Sequence, residues 1–417
     1  MLLLYNFGVQ CYGFLVSLFA LFNTKAKLFV TGRKSWLENI NRKIDSRQKH
    51  VWFHFASLGE FEQGRPVLEK LISTYPAKKV IVTFFSPSGY EIRKNYPLAE
   101  GVFYLPLDTP RNAKLFIEAI NPEIAVFTKY EFWFHYFKEL NSRQVPLFLI
   151  SGIFRPGQAF FKPYGSFNRR TLKYVTHFFV QNEESVQLLN SINIQDVSLT
   201  GDTRFDRVAE NAANSRDLQL IEKFANQTKV LVAGSTWPED EQLLALWAKE
   251  YPNWKIIIAP HEIHESHLAD IEKLFPSAIT YSQLLKKEEQ QKTIICGADN
   301  ITDQLLIIDN IGLLSSLYKY GDIAYIGGGF GAGIHNTLEA AAFGLPILIG
   351  PKYQKFQEAK DLINIGAAIS VKNTEELTQA FETLSENKEA QQKSAAYVHE
   401  NKGATELILT SLSPYLQ

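Results

Sequence analysis

Ala324–Pro351, AYIGGGFGAGIHNTLEAAAFGLPILIGP, decides how this chain is read. AYIGG has the run of a short buried strand, and LPILIG starts a second one. Between them, GGFGAGIH carries too little side chain to serve as packing material. Asn336 is expected to open a helix, with Glu339 three residues on and Gly344 closing it. Glycines let backbone N–H groups approach a ligand closely, and a helix N-terminus presents unpaired donors at a positive dipole end. The stretch therefore reads as an anion site, most naturally for phosphate. Its spacing fails G-x-G-x-x-G, so a dinucleotide fingerprint is not supported. The same residues would also serve as a tight strand-to-helix turn closed by an Asn336–Glu339 capping box.

Outward from this stretch, strand and helix patterns alternate on both sides. Upstream lie KVLVAGST, the helix WPEDEQLLALWAKEY, WKIIIAPH, IEKLF, AITYSQLL, KTIICG and LLIIDN; GAAISV and a helical remainder follow. A first series runs from VWFHFAS through KKVIVTFFS, GVFYLPL, IAVFTKY and VPLFLIS to THFFVQN and VSLTGD. Such alternation argues for βαβ units and parallel sheets, with ligands at the carboxyl ends of the strands. The expected fold class is α/β, two Rossmann-like domains facing a central cleft. The segment from about Val208 to Lys229, rich in Asn, Ala and charge, reads as a linker helix and boundary. The expected division is 1–24, 25–210 and 211–417, the last with terminal helices.

The 417 residues are 46% hydrophobic and 21% charged, enough apolar material for two cores. A net charge of -1 leaves no global field to recruit nucleic acid. Two cysteines, Cys11 and Cys296, make no disulfide framework. Leu2–Phe22 contains no charge and can just cross a hydrocarbon core as a helix. Lys25, Lys27, Arg33 and Lys34 follow it, so the positive-inside rule places the remainder in the cytoplasm. Residues 1–24 are accordingly expected to be a membrane anchor, spanning or monotopic. The segment Phe154–Arg170 mixes Arg155, Lys162, Arg169 and Arg170 with phenylalanines and a tyrosine, which suits a phosphorylated amphiphile near a membrane.

Glu60, in Ser57-Leu58-Gly59-Glu60, stands where a strand enters a helix, a position for a general base or for a first-turn glutamate that favours the helix dipole. Glu131 also follows a strand and could face the same substrate. Arg204 is placed to meet developing charge or to pair with Asp202 or Asp206. Ser235 and Thr236 could donate to phosphate or cap the WPEDEQ helix. His261, His264 and His267 lie in H-E-I-H-E-S-H, which is not H-E-x-x-H, and no metal site is expected.

Ser57-Leu58-Gly59-Glu60, Glu131-Phe132-Trp133, Gly201-Asp202-Thr203-Arg204-Phe205-Asp206 and Gly333-Ile334-His335-Asn336-Thr337-Leu338-Glu339 occur in this order after an apolar N-terminus. Over nearly its whole length the chain resembles the 3-deoxy-D-manno-octulosonic acid (Kdo) transferases of lipid A assembly, glycosyltransferase family 30. The resemblance implies a GT-B fold and inverting transfer of Kdo from CMP-Kdo to the lipid A precursor lipid IVA. It implies no metal or other cofactor, and a catalytic part facing the cytoplasm from the bacterial inner membrane. Carried across by motif, Glu60 resembles the acceptor-activating base, and Glu131 and Arg204 the transition-state-stabilising residues, although the family commonly has Lys at the latter. The donor nucleotide would lie against Ser235, Pro260, His261, Ile311, Gly312, Leu313, Asn336, Thr337, Leu338 and Glu339. The family departs from this chain at Lys129, Phe132 and Phe134, at Pro260–His264 and at Ile311–Leu313. Two other expectations fit the same domains: a GT-B transferase using a UDP-sugar, and a membrane-tethered nucleotide-sugar binding protein without catalysis.

Overall fold

A computed structural model describes residues 1–291 and 304–417. The expected KTIICG strand and Cys296 lie outside the described residues. The chain divides into two compact units, residues 1–206 with 402–417, and residues 207–401.

The first unit holds a seven-stranded parallel sheet: β1 His50–Phe55, β2 Lys79–Phe84, β3 Gly101–Tyr104, β4 Pro122–Thr128, β5 Leu147–Gly152, β6 His177–Val180 and β7 Val197–Leu199. Their order is β3-β2-β1-β4-β5-β6-β7, so the direction of winding reverses between β1 and β4. Every residue of β1 is buried, as expected of a strand covered on both faces by crossover helices. The helices begin where capping chemistry allows: Ser57, Ser86, Thr109 and Asn182 each accept a backbone N–H in the first turn. Pro87 and Pro110 occupy first-turn positions where their missing N–H costs nothing.

The second unit repeats the plan with β8 Val230–Thr236, β9 Lys255–Pro260, β10 Ile279–Thr280, β11 Leu305–Ile307, β12 Ile323–Ile326, β13 Ile347–Ile349 and β14 Ala368–Ser370. Their order is β10-β11-β9-β8-β12-β13-β14, with the reversal between β8 and β12. Its core gathers Trp247, Trp254, Tyr325, Leu348 and Phe381. Both sheets and their covering helices are those expected from the alternation, and the fold is of the GT-B class.

Three details differ from the sequence-based expectation. The segment expected to be one linker helix is helical but forms two helices, Thr203–Ala213 and Gln219–Ala225, and the division falls after Asp206 rather than at 210. The terminal residues 402–417 belong to the first unit, not the second. The reason is apolar: Ile408, Leu409, Leu412 and Leu416 join the core of Val51, Phe53, Leu68 and Leu71, and Asp206 accepts from the N–H groups of Gly403 (2.5 Å) and Thr405 (2.8 Å). Finally, the helix expected to open at Asn336 is a single turn, Leu338–Ala341, ended by Gly344 at φ +72°.

The apolar N-terminus is a helix, Leu2–Phe19, long and apolar enough to cross a membrane. One face, Leu2, Tyr5, Asn6, Val9, Gly13 and Val16, is half-buried or nearly so, while Leu3, Leu4, Phe7, Phe14, Leu15 and Leu18 are exposed. The inner face is fixed by polar bonds. The Tyr5 hydroxyl donates to Asp108 (2.5 Å), and His135 pairs with the Asn6 amide oxygen (2.6 Å). Asp108 also accepts from the N–H groups of His135 and Tyr136 (2.9 and 3.0 Å), capping the helix Phe134–Ser142. Burial pushes its carboxyl up to about 6, against the pull of those donors.

Candidate active site

In the first unit the expected carboxylates stand beyond the two central strands. The helix Leu58–Thr74 starts at Ser57, whose hydroxyl accepts from the Gly59 N–H (3.2 Å) and donates to the Glu60 carboxylate. Gly64 sets the height of this helix above the sheet: a Cβ there would meet the Phe55 ring at 2.3 Å and the Thr128 hydroxyl at 2.9 Å.

Glu131 follows β4, and its carboxylate accepts from the Trp133 indole (2.9 Å) and faces His54 Nε2 of β1 (3.3 Å). His54 is fully buried, and burial lowers its pKa against the opposing pull of Glu131. Behind the ring stands the Thr83 hydroxyl. The Trp52 indole, which can only donate, gives its N–H to the Thr83 hydroxyl (2.8 Å), and that hydroxyl lies 2.8 Å from His54 Nδ1. The Glu131 carboxylate can only accept, so the hydrogen facing it is carried by Nε2; the Thr83 hydroxyl has the Phe53 carbonyl (3.4 Å) as well as Nδ1 within reach of its proton. Neither Trp52, His54 nor Thr83 was expected from the sequence. The signal was a tryptophan and a histidine inside an otherwise apolar strand, VWFHF.

Arg204 is held by Asp202 through Nε and a terminal nitrogen, both at 2.8 Å, and Asp202 also accepts from the Arg204 N–H and from Gln63. Next to it, Thr203 bonds the Gln63 carbonyl and Ser151 of β5 (3.0 Å), which ties this segment to the same sheet edge.

Three strand ends carry a non-glycine residue in the left-handed region: Lys129 after β4 (φ +60°), Ser151 in β5 (φ +54°) and Ser235 in β8 (φ +53°). Such backbone costs of order 1–3 kcal/mol each and gathers at functional sites.

In the second unit the glycine-rich loop leaves β12 and closes on itself. Gly328 accepts from the N–H groups of Gly331 (3.1 Å) and Gly333 (3.2 Å), His335 donates to Gly327, and Gly327 donates to Gly234 of β8. Asp240, fully buried, fastens the loop: it accepts from Gly328 N–H (2.8 Å), the Tyr325 hydroxyl (2.8 Å) and Trp237 N–H (3.0 Å). Burial pushes its carboxyl up, and these three donors work the other way. Several loop N–H groups are thus spent internally, which corrects the expectation that the glycines themselves cradle an anion. They are glycines because the backbones touch: a Cβ on Gly327 would lie 2.3 Å from the Ser235 carbonyl.

The polar groups that remain are at the following turn. Asn336 accepts from the Leu338 N–H (3.0 Å) and donates to Glu339 (3.2 Å). The Thr337 hydroxyl is buried with no hydrogen-bond partner among the described residues. Beside them, His261 at the end of β9 is stacked between Trp237 (4.9 Å) and His335 (4.2 Å). The Trp237 indole donates to His335 Nε2 (3.1 Å), so that nitrogen is unprotonated. Ser235 and Pro260 end the neighbouring strands β8 and β9, whereas Ile311 and Gly312 lie exposed beyond β11 with Leu313 half-buried. Trp237, Asp240 and His335 were missed as site residues because a buried aspartate in PEDE looks, in sequence, like an ordinary first-turn charge.

The three histidines of H-E-I-H-E-S-H separate. His267 donates to the Glu262 carbonyl (2.8 Å) and to Glu241 (2.9 Å); burial disfavours its charge, but the Glu241 bond and that carbonyl outweigh it and raise its pKa. His264 is exposed, and among the described residues no group of His, Cys, Asp and Glu could hold a metal ion.

Burial and the neighbouring His261 lower the His335 pKa to about 4. An unfolded chain protonates this ring near 6.5, and the folded one does not until about 4. Its effect on stability is therefore nil above pH 6.5, and stability is lost as pH falls from 6.5 toward 4. His335→Gln keeps an acceptor for Trp237 without a titrating group. Thermal melts between pH 7.5 and 4.5 should show a smaller acid loss in the variant than in the wild type; parallel curves would refute this assignment.

Residues 33–207 match the family model described as 3-deoxy-D-manno-octulosonic-acid transferase (kdotransferase). A 3-deoxy-D-manno-octulosonic acid transferase of Chlamydophila psittaci is 28% identical over 88% of this chain and 85% of its own length. One from Haemophilus influenzae is 27% identical over 88% of this chain and 87% of its own. Among solved structures, the UDP-GlcNAc 2-epimerase of Neisseria meningitidis bound to UDP-GlcNAc has a TM-score of 0.59, with 17% identity over 88% of this chain and all of its own. The calicheamicin glycosyltransferase CalG4 has a TM-score of 0.54, with 12% identity over 89% of this chain and 98% of its own. The structural likenesses establish the fold alone. The sequence relatives and the family model define a glycosyltransferase. The chain is thus similar to Kdo transferases over most of its length, and residues 33–207 match their family model.

Proposed function

We propose that this protein transfers Kdo from CMP-Kdo to a hydroxyl of the lipid A precursor lipid IVA, in lipopolysaccharide synthesis at the cytoplasmic face of the inner membrane. One observation carries the reading: in a chain alike to Kdo transferases over most of its length, Glu60 and Glu131 stand beyond the two central strands β1 and β4, where winding reverses. That is where an open α/β sheet takes its ligand.

Glu60 takes the proton of the acceptor hydroxyl as that oxygen attacks the anomeric carbon of Kdo. The bond from that carbon to the CMP phosphate oxygen breaks, and a single displacement inverts the centre. Glu131, kept oriented by His54 and Trp133, and Arg204, kept by Asp202, stabilise charge on the acceptor side. The second unit holds the donor: Thr337, Asn336 and the Ser235 turn face the CMP phosphate, and Glu339 accepts from ribose hydroxyls. CMP departs as a stable anion, and no step is routed through a metal or other cofactor. The exposed face of the Leu2–Phe19 helix attaches the enzyme to the bilayer that carries its lipid substrate.

The test is CMP release from CMP-Kdo by the purified full-length protein, with and without lipid IVA, with products read by mass. A gain of one or more Kdo units on the lipid is expected. Competition by UDP rather than CMP, with no mass gain, would transfer the protein to UDP-sugar chemistry; CMP binding without transfer would leave a binding protein.

A further inference from the structure

A cavity of about 300 Å³ lies in the first unit between the N-terminal helix and the loop that carries Glu131. Leu4 and Tyr5 form one wall, Phe132 and Phe160 another, and Phe167 with Asn168 a third. The aromatic walls brace one another: Phe132 meets Phe160 edge-on at 4.9 Å, Tyr5 lies 5.5 Å from Phe167, and Phe167 is stacked on Phe134 at 4.8 Å. Two features of its placement matter. Its outer wall includes Leu4, which is 66% exposed and belongs to the apolar outer face of the helix. Its inner wall is Phe132, the residue covalently next to Glu131.

We propose that this cavity receives an acyl chain of the phosphorylated lipid acceptor. The inference rests on the function proposed above and deepens it. A cavity walled mainly by aromatic and aliphatic side chains, with Asn168 and Thr171 as its polar lining, that opens on a membrane-seeking helix and ends one residue from a carboxylate at the reacting centre suits a substrate that is lipid at one end and sugar at the other. The charges agree. From Phe154 to Lys173 the chain contains Arg155, Lys162, Arg169, Arg170 and Lys173 and no acidic residue. Arg169 is used internally, donating to the carbonyls of Phe160 and Lys162, while Arg155, Arg170 and Lys173 are exposed beside the cavity's helix and turn. A bisphosphorylated head group is thereby favoured at the rim and a hydrocarbon tail inside. Seating one chain also fixes the sugar relative to Glu131, which converts tail binding into orientation at the reacting hydroxyl.

The experiment uses lipid IVA bearing a photoreactive group at the end of one acyl chain, irradiated with the full-length protein in micelles. Label is expected on residues 1–5, on Phe132 and on 160–171. Asn168→Trp, a half-buried helix position on the cavity wall, should cut that label at least fivefold. It should also raise KM for lipid IVA about tenfold, with CMP-Kdo binding and turnover of the deacylated disaccharide bisphosphate unchanged. Label confined to the exposed positions 7–22 overturns the proposal, as does a phospholipid with the same chain labelling the cavity equally in competition. Labelling needs no turnover, so a wild type that labels the cavity but transfers no sugar would count against the proposed reaction and not against the cavity.

Discussion

Glu60→Gln is expected to bind CMP-Kdo within about twofold of the wild type and to turn over slower by a factor of roughly 10²–10⁴, the range that a positioned general base supplies. The substitution keeps size and hydrogen-bonding reach at the third position of the Leu58–Thr74 helix, so Ser57 still has a partner and the cap survives. What it removes is the ability to accept a proton. The fold loses only the attraction of a first-turn carboxylate for the helix dipole, about 0.3–1 kcal/mol. Single-turnover transfer to lipid IVA measures the chemical step. Unchanged turnover would remove Glu60 from the role of base and leave it as a capping residue.

Gly329→Ala is the second substitution with a large expected effect, and it acts on the other unit. A Cβ at residue 329 would stand 2.5 Å from the Gly350 Cα and 2.7 Å from its nitrogen, distances that real Cβ atoms do not reach. Both obstacles are backbone, so no side chain can swing aside. Either the loop after β12 or the start of the segment after β13 must move, and the bond from Lys352 N–H to the Gly329 carbonyl (2.9 Å) moves with it. A destabilisation of about 1–3 kcal/mol in urea unfolding is expected, as for overpacking elsewhere. CMP binding should weaken at least tenfold, because Asn336 and Thr337 hang from the same loop. Gly331→Ala is the control: its nearest neighbour would be 3.7 Å away, and it should be nearly neutral. Equal behaviour of the two variants would show that the Gly329–Gly350 contact does not hold the loop in place.

The sheets were legible in the sequence because strands buried on both faces are written as near-continuous apolar runs, and VWFHF, KIIIAP and IAYI could hardly be anything else. Glu60 and Glu131 were legible as candidates because a carboxylate directly after such a run must stand at a strand's carboxyl end. What was not legible depends on contacts between distant residues. Asp240 and Gly328 are 88 residues apart, and nothing in PEDE announces a buried carboxylate holding a glycine loop. The role of His54 emerges only when Glu131, 77 residues on, is seen to face its Nε2. The glycine-rich loop was misjudged in one respect for the same reason: local sequence shows that backbone can come close to something, but not that the something is another strand's backbone.

The return of residues 402–417 to the first unit makes the second unit an insertion, and this bears on biogenesis. As the chain leaves the ribosome, the first sheet is synthesised long before the helix Ala404–Leu412 that covers it. Ile408, Leu409 and Leu412 are each worth about 1.5–3 kcal/mol when buried, so an apolar strip over Val51, Phe53 and Leu71 stays uncovered throughout elongation. The later-made unit, whose strands and core all lie within 207–401, has every contact it needs first. The order of maturation is therefore inverted with respect to synthesis. Pulse proteolysis of stalled nascent chains should find 207–401 protected before the sheet of β1 to β7, and protection in the opposite order would overturn the sequence of events. Until residues 402–417 appear, the first unit is the half of the chain most exposed to aggregation.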